Sequence, residues 1–161
     1  MKNLAILIAS LAILVCLNGC VSTSGSMTGP ELKEAAIVYL QKDSTKSTIK
    51  SALVIAGSEL LQRVVDTELE RNEIADQMFG LSKAFYSLAT GEIITPEKFN
   101  AAVKSFAPNL SRYSSYTAVF NLAYGLIYPK LQLTGDGKLG VDYLILMAQS
   151  AEEVAEPYRS K

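Results

Sequence analysis

The 161-residue chain contains no histidine and no tryptophan, and only two cysteines. Without imidazole it lacks the side chain best suited to moving protons near neutral pH, which is also the commonest zinc ligand. Ser-His-Asp triads, Cys-His dyads and HExxH metal sites are therefore excluded. Net charge is scarce as well: 15 Lys and Arg stand against 16 Asp and Glu. Neither sign forms a run of five, so the sequence encodes no concentrated basic face of the kind that displaces counterions from nucleic-acid phosphates. Period-2 alternation of useful length is missing too, which removes the main signal for half-buried strands. What remains is an apolar content of 49% and a length that suits one domain with one core.

Met1 to Gly19 reads as an export signal. Lys2 supplies the positive start, and Leu4 to Leu17 is apolar apart from Ser10. This run of about 14 residues is shorter than the ~20 that a transmembrane helix needs to cross ~30 Å of hydrocarbon. The two thiols, Cys16 and Cys20, are separated by three residues, so CLNGC is not a CxxC redox motif. Leu17-Asn18-Gly19-Cys20 resembles the lipobox of bacterial prolipoproteins, with Asn18 standing where Ala, Ser or Thr is more usual. The resemblance implies cleavage between Gly19 and Cys20 and a thioether-linked lipid on Cys20. Removing 19 of 161 residues leaves 142, in which Cys20 is the sole cysteine, and a lipid on that sulfur disposes of an otherwise free thiol in an oxidising compartment. In that family an aspartate after the cysteine favours inner-membrane retention. Val21 stands there instead, which implies the outer membrane, periplasmic face. No cofactor other than the covalent lipid on Cys20 is expected.

Residues 20–29 are the lipidated cysteine and a linker. VSTSGSMTG carries no charge, and nine such residues behave as a coil spanning roughly 17 Å. The domain then occupies residues 30–161 and reads as an all-α, single-domain bundle of five or six helices. Pro30 opens a short amphipathic helix carrying Leu32, Ala35, Ala36, Tyr39 and Leu40. KDSTKS reads as a polar break before a second stripe of Ile49, Ala52, Leu53, Ala56, Leu60 and Val64. No Gly or Pro occurs between Gly57 and Gly80, which leaves open whether residues 47–90 form one long helix or two. Ile74, Met78, Leu81, Phe85 and Leu88 fall at intervals of 4, 3, 4 and 3, an a/d seam suited to a bundle core. Gly91 marks the stop.

Thr95-Pro96-Glu97 combines an N-cap, a first-position proline and an early acid, and leads into Phe99, Ala102, Val103 and Phe106. Tyr113 to Pro129 is uncharged, with Tyr116, Phe120, Tyr124 and Tyr128 every four residues. A helix apolar on most sides is expected in the middle of a bundle. The last segment, Asp142 to Ala155, is expected to pack beside it.

Several patterns invite chemical readings. GDGKLG, Gly135 to Gly140, is a literal GxGxxG, but the 21 residues after it cannot supply the rest of a dinucleotide-binding sheet, so a glycine-rich helix-helix turn is expected. Placing Gly137 at the invariant glycine of an EF-hand puts Gln132 first and Tyr143 last, where carboxylates are required. Ser47-Thr48-Ile49-Lys50 matches SxxK, yet the partner motifs SDN and KTG are missing, which favours a serine-rich helix start. Glu68, Glu70, Glu73 and Asp76 are the densest acidic set and read as a solvated face interleaved with Arg63 and Arg71.

The tyrosine stripe reads as core by default; Tyr116, Tyr124 and Tyr128 become a binding surface if they line a groove. No catalytic or metal-ligating set is expected. These features point to a non-enzymatic, lipid-anchored protein-binding module, an adaptor, assembly factor or inhibitor. Its partners would be the membrane, through the anchor, and an envelope protein. A carboxylate-dependent cell-wall hydrolase and a carrier of a small apolar ligand are the alternatives.

Overall fold

A computed structural model describes residues 28–64, 67–106 and 114–158. The signal segment with Cys16, Gly19 and Cys20 lies outside the described residues. All regular structure among those described is helical: α1 Gly29–Gln41, α2 Asp43–Val64, α3 Glu68–Leu88, α4 Pro96–Phe106, α5 Ser114–Thr134 and α6 Gly137–Ala155, followed by one 3-10 turn, Glu156–Tyr158. The expected all-α bundle is what forms, with six helices.

Local chemistry sets most helix starts. At α1 the Glu31 carboxylate accepts from the Thr28 N–H at 2.7 Å and the Thr28 hydroxyl at 2.8 Å, which holds Glu31 below its ordinary pKa. Thr67 and Glu70 form a reciprocal capping box: the Glu70 N–H donates to Thr67 Oγ1 and the Thr67 N–H donates to Glu70 Oε2. That box begins α3 and answers the open question of residues 47–90 with two helices. At α4, Thr95 Oγ1 accepts from the Lys98 N–H, as its sequence signals. Asp136 caps α6 by accepting from the Lys138 N–H at 2.9 Å.

One break differs from expectation. The polar stretch KDSTKS is not a loop: only Lys42 is non-helical, at ψ 128°, and Asp43 to Ser47 form the first turns of α2. Pro129 lies inside α5, which continues to Thr134. A proline there removes one backbone donor and favours a kink rather than a stop.

The packing order also differs. Helix α5, uncharged from Ser114 to Pro129, is not the central one. Gly125, Pro129, Gln132 and Leu133 on it are exposed, and it braces α1, α2 and α4. The centre belongs to α6, which packs mainly on α3 and α2 and only marginally on α5. Eleven of its side chains are buried, from Leu139 to Ala155. The α3 seam is as read: Ile74, Met78, Leu81 and Phe85 are fully enclosed, with Leu88 half-buried.

Glycines fix two close approaches. A Cβ on Gly57 would lie 2.8 Å from Val154 Cγ2, so α2 and α6 touch there. A Cβ on Gly137 would collide with the Gly91 carbonyl, and one on Gly140 would come within 3.4 Å of the Glu92 carbonyl. Gly135, at φ +63°, supplies the left-handed end of α5, its N–H donating to the Leu131 carbonyl. Each glycine of GDGKLG thus serves a helix-helix turn packed against the α3–α4 loop.

These contacts separate two glycine substitutions. Gly57→Ala should destabilise the domain by about 1–3 kcal/mol through overpacking against Val154. Gly125→Ala, on an exposed helical position with open space around its Cβ, should stabilise it by about 0.5–1 kcal/mol. Chemical denaturation of the two variants beside the parent chain checks both signs.

Candidate functional site

The tyrosine stripe divides between core and surface. Tyr124 is fully buried, stacked on Phe99 with centroids 4.3 Å apart, and its hydroxyl donates to the Ile94 carbonyl at 2.6 Å. Phe99 stacks in turn on Phe85 at 5.0 Å, and Phe85 meets Phe120 at 5.4 Å. These rings fill the space where α3, α4 and α5 meet. Tyr128 is half-buried and its hydroxyl accepts from the Gln132 side chain at 2.7 Å; the side chain of Tyr116 lies outside the described residues. Tyr124 and Tyr128 therefore form no open aromatic face together. Tyr124 is a core residue because its helical position points at α4, and its hydroxyl finds a backbone partner there.

The acidic set is dispersed. Glu70 is engaged by Thr67, and Glu73 and Asp76 are exposed on successive turns of α3, with Glu73 near Gln77 at 3.5 Å. Among the described residues no three His, Cys, Asp or Glu groups converge as a metal holder.

The concave feature with mixed chemistry lies between α2 and α6. Along α2, Ser47, Lys50, Ser51, Val54 and Ile55 share one outward stripe at helical spacing. Along α6, Asp142, Ile145, Leu146 and Gln149 do the same. Two adjoining depressions of about 340 and 380 Å³ follow these stripes and share Ser47 and Lys50. Their rim is charged and self-paired: Lys46 Nζ lies 2.9 Å from Asp142 Oδ2, and Lys50 Nζ lies 2.8 Å from Glu153 Oε2. The floor and wall are Val54, Ile145, Leu146 and Ile55, the last 61% exposed.

Ser47 and Lys50 both line this groove, on one face of α2 as SxxK spacing on a helix requires. A lysine serving as base must present its lone pair to the hydroxyl, whereas the Lys50 ammonium here donates to Glu153. The sequence held one clue to the groove, since Ile55 stands off the Ile49, Leu53 and Ala56 stripe that turns into the core.

A third depression, about 280 Å³, lies between α4 and α5 beside Glu97, Asn100 and Asn121. Asn121 donates to Asn100 at 3.1 Å, and its own Oδ1 is buried without a protein partner. The rings beneath, Phe99 and Tyr124, are closed off from solvent.

Across the α3–α6 contact the Ser82 hydroxyl, fully buried, donates to Glu152 at 2.6 Å. The same carboxylate raises the pKa of the Tyr86 hydroxyl, after burial as the larger cause. This polar link ties α3 to α6.

Two measurements follow from these environments. Burial, reinforced by Tyr128 nearby, pushes Tyr124 up to about 12, and burial likewise pushes Tyr143 upward. A raised folded-state pKa means the neutral phenol is favoured on folding. The associated stability is complete below the ordinary tyrosine value of 10.0 and is lost as pH rises from there toward about 12. Ultraviolet titration should show these phenols ionising late, together with unfolding. The rim ion pairs are one-third to one-half exposed, so Lys50→Ala or Glu153→Ala should change folding stability by no more than about 1 kcal/mol in thermal or chemical melts.

Comparison with family models, with curated proteins and with solved structures found no match to this chain, so the geometry of α2 and α6 carries the functional reading by itself.

Proposed function

We propose that this chain is a lipid-anchored periplasmic helical domain that binds another envelope protein without catalysing a reaction. The observation that carries the reading is the α2/α6 groove, with an apolar wall at Val54, Ile55 and Ile145 inside a rim of charged and small polar side chains. Protein interfaces have this anatomy, an apolar centre within a polar rim. Two adjacent helices with small serines between them suit an amphipathic partner helix, whose apolar face meets Ile55 and whose flanks meet Lys46, Lys50, Asp142 and Glu153. The alternative of an apolar-ligand carrier is weaker because the space between the aromatic helices is occupied by stacked rings.

The anchor half of the reading rests on the LNGC resemblance and the export-like segment before it. Two or three acyl chains at about 0.8 kcal/mol per buried methylene give a stable attachment. Among the described residues no helix is long and apolar enough to cross a membrane.

Both halves have a direct check. Ile55→Glu, at a position 61% exposed, should reduce recovery of a cross-linked partner from detergent-solubilised envelopes at least tenfold, about 1.4 kcal/mol of binding, while leaving the circular dichroism unchanged. Equal recovery with the parent chain would remove the groove as the binding site. For the anchor, Cys20→Ser should leave the chain unlipidated and its precursor uncut, and Cys16→Ser should change neither. A Cys20→Ser chain that matures normally and stays with the membrane overturns the lipoprotein assignment.

A further inference from the structure

Helix α1 is the least embedded of the six in chemical terms. Only Ala36 and Leu40 of its 13 residues are buried, while Leu32 and Val38 remain 38% and 51% exposed. Its seat is built by segments remote in sequence, chiefly α5. There the Tyr143 hydroxyl donates to the Leu40 carbonyl at 3.0 Å, and the Lys130 ammonium sits 3.9 Å from the Tyr39 ring centroid. Between α1 and α2 stands a single residue, Lys42. Its φ of −62° is already helical, and its ψ of 128° alone makes the bend.

No glycine or proline occurs from residue 31 to residue 56, so rotation of that one torsion joins α1 and α2 into an unbroken helix. The 13 residues of α1, Lys42 and the 22 of α2 would then span about 54 Å. The bent junction leaves backbone groups that the straight one pairs. Lysine has no side-chain acceptor with which to cap α2, and the first amides of a helix have no partner within it. In the straight form the Asp43 and Ser44 amides meet the Tyr39 and Leu40 carbonyls.

We propose that α1 is an exchangeable arm: with Lys42 straightened, it leaves its own α5 and docks in the identical seat of a second copy of this chain. The reciprocal exchange gives a closed two-fold dimer in which every α1 contact of the monomer is remade across the pair. The second copy is the occupant the seat already fits, since the Tyr143–Leu40 and Lys130–Tyr39 contacts are the same in both forms. What changes is the Lys42 backbone, and the α2/α6 groove is left as it is.

Proline at position 43 separates the two forms. In the bent form residue 43 is the first of α2, where proline is favoured, and Lys42 already has the extended ψ that a following proline requires. In the straight form the same proline sits inside a helix and breaks it. Light scattering that separates protein from detergent mass, on the full chain over a concentration series, should show a slowly dissociating dimer. Asp43→Pro should lower the dimer fraction at least tenfold, with helix content kept, and Asp43→Ala should not.

A photo-cross-linking residue in place of Tyr39, in mixed isotope-labelled and unlabelled copies, gives an independent readout. The dimer fraction should contain links from position 39 of one copy to α5 of the other. A chain monomeric throughout, a dimer that survives Asp43→Pro, or purely intrachain links in the dimer fraction each overturns the exchange.

Discussion

The arrangement depends on how closely α6 can approach its two neighbours. It lies against α3 and α2 at once, and both contacts require small groups where the backbones come near. Gly57 meets Val154 on the α2 side. On the α3 side Ala148, Ala151 and Ala155 of α6 are fully buried, as are Ala75, Ser82 and Ala84 of α3. The hydrogen bond from Ser82 to Glu152 ties the two helices together at that contact. At the start of α6, Gly137 and Gly140 allow the Gly91–Ile93 loop to lie directly on the helix. Enlarging any of these positions pushes α6 outward and opens the groove it forms with α2, so the surface follows from the core.

Signals confined to a few residues were legible in the sequence. The seam Ile74, Met78, Leu81 and Phe85 is buried as its spacing requires, and Thr95-Pro96 starts α4 by the cap its residues encode. The Thr-x-x-Glu at 67–70 was equally available and settles the α2/α3 break, although glycine and proline counts alone cannot see it. KDSTKS misleads for a physical reason: Asp, Ser and Thr are poor inside helices yet good in a first turn, which is where all but Lys42 stand. Which helix is central was not legible. Uncharged residues such as Gly125 and Pro129 cover a surface without cost, so the absence of charge before Lys130 did not mean burial.

The candidate site was less legible than the fold, because concavity belongs to two helices and not to one. Tyrosines at helical spacing say that a face is aromatic but not whether another element covers it; Phe99 of α4 does cover Tyr124. SxxK places Ser47 and Lys50 together on α2, and only the neighbouring α6 reveals that the ammonium is taken by Glu153. Ile55 is the residue whose helical phase, opposite to the core stripe, was readable and informative.

The charged rim bears on how such a groove selects. Each ion pair spans from α2 to α6 with both side chains partly in water, so its net worth to folding is about 0–1 kcal/mol. Lys50 can therefore turn from Glu153 to a carboxylate on an incoming helix with little loss to the domain. A partner that brings no charge leaves the original pairs intact, whereas one that brings a cation beside Lys50 meets repulsion unless Glu153 is freed to receive it. In the proposed reading, charge at this rim would govern which partners are tolerated and how fast they arrive, and the desolvation of Val54, Ile55 and Ile145 would supply most of the affinity. A nearly neutral chain, with 15 basic against 16 acidic residues, and a self-paired groove would on that reading select by shape and apolar fit first and by charge second.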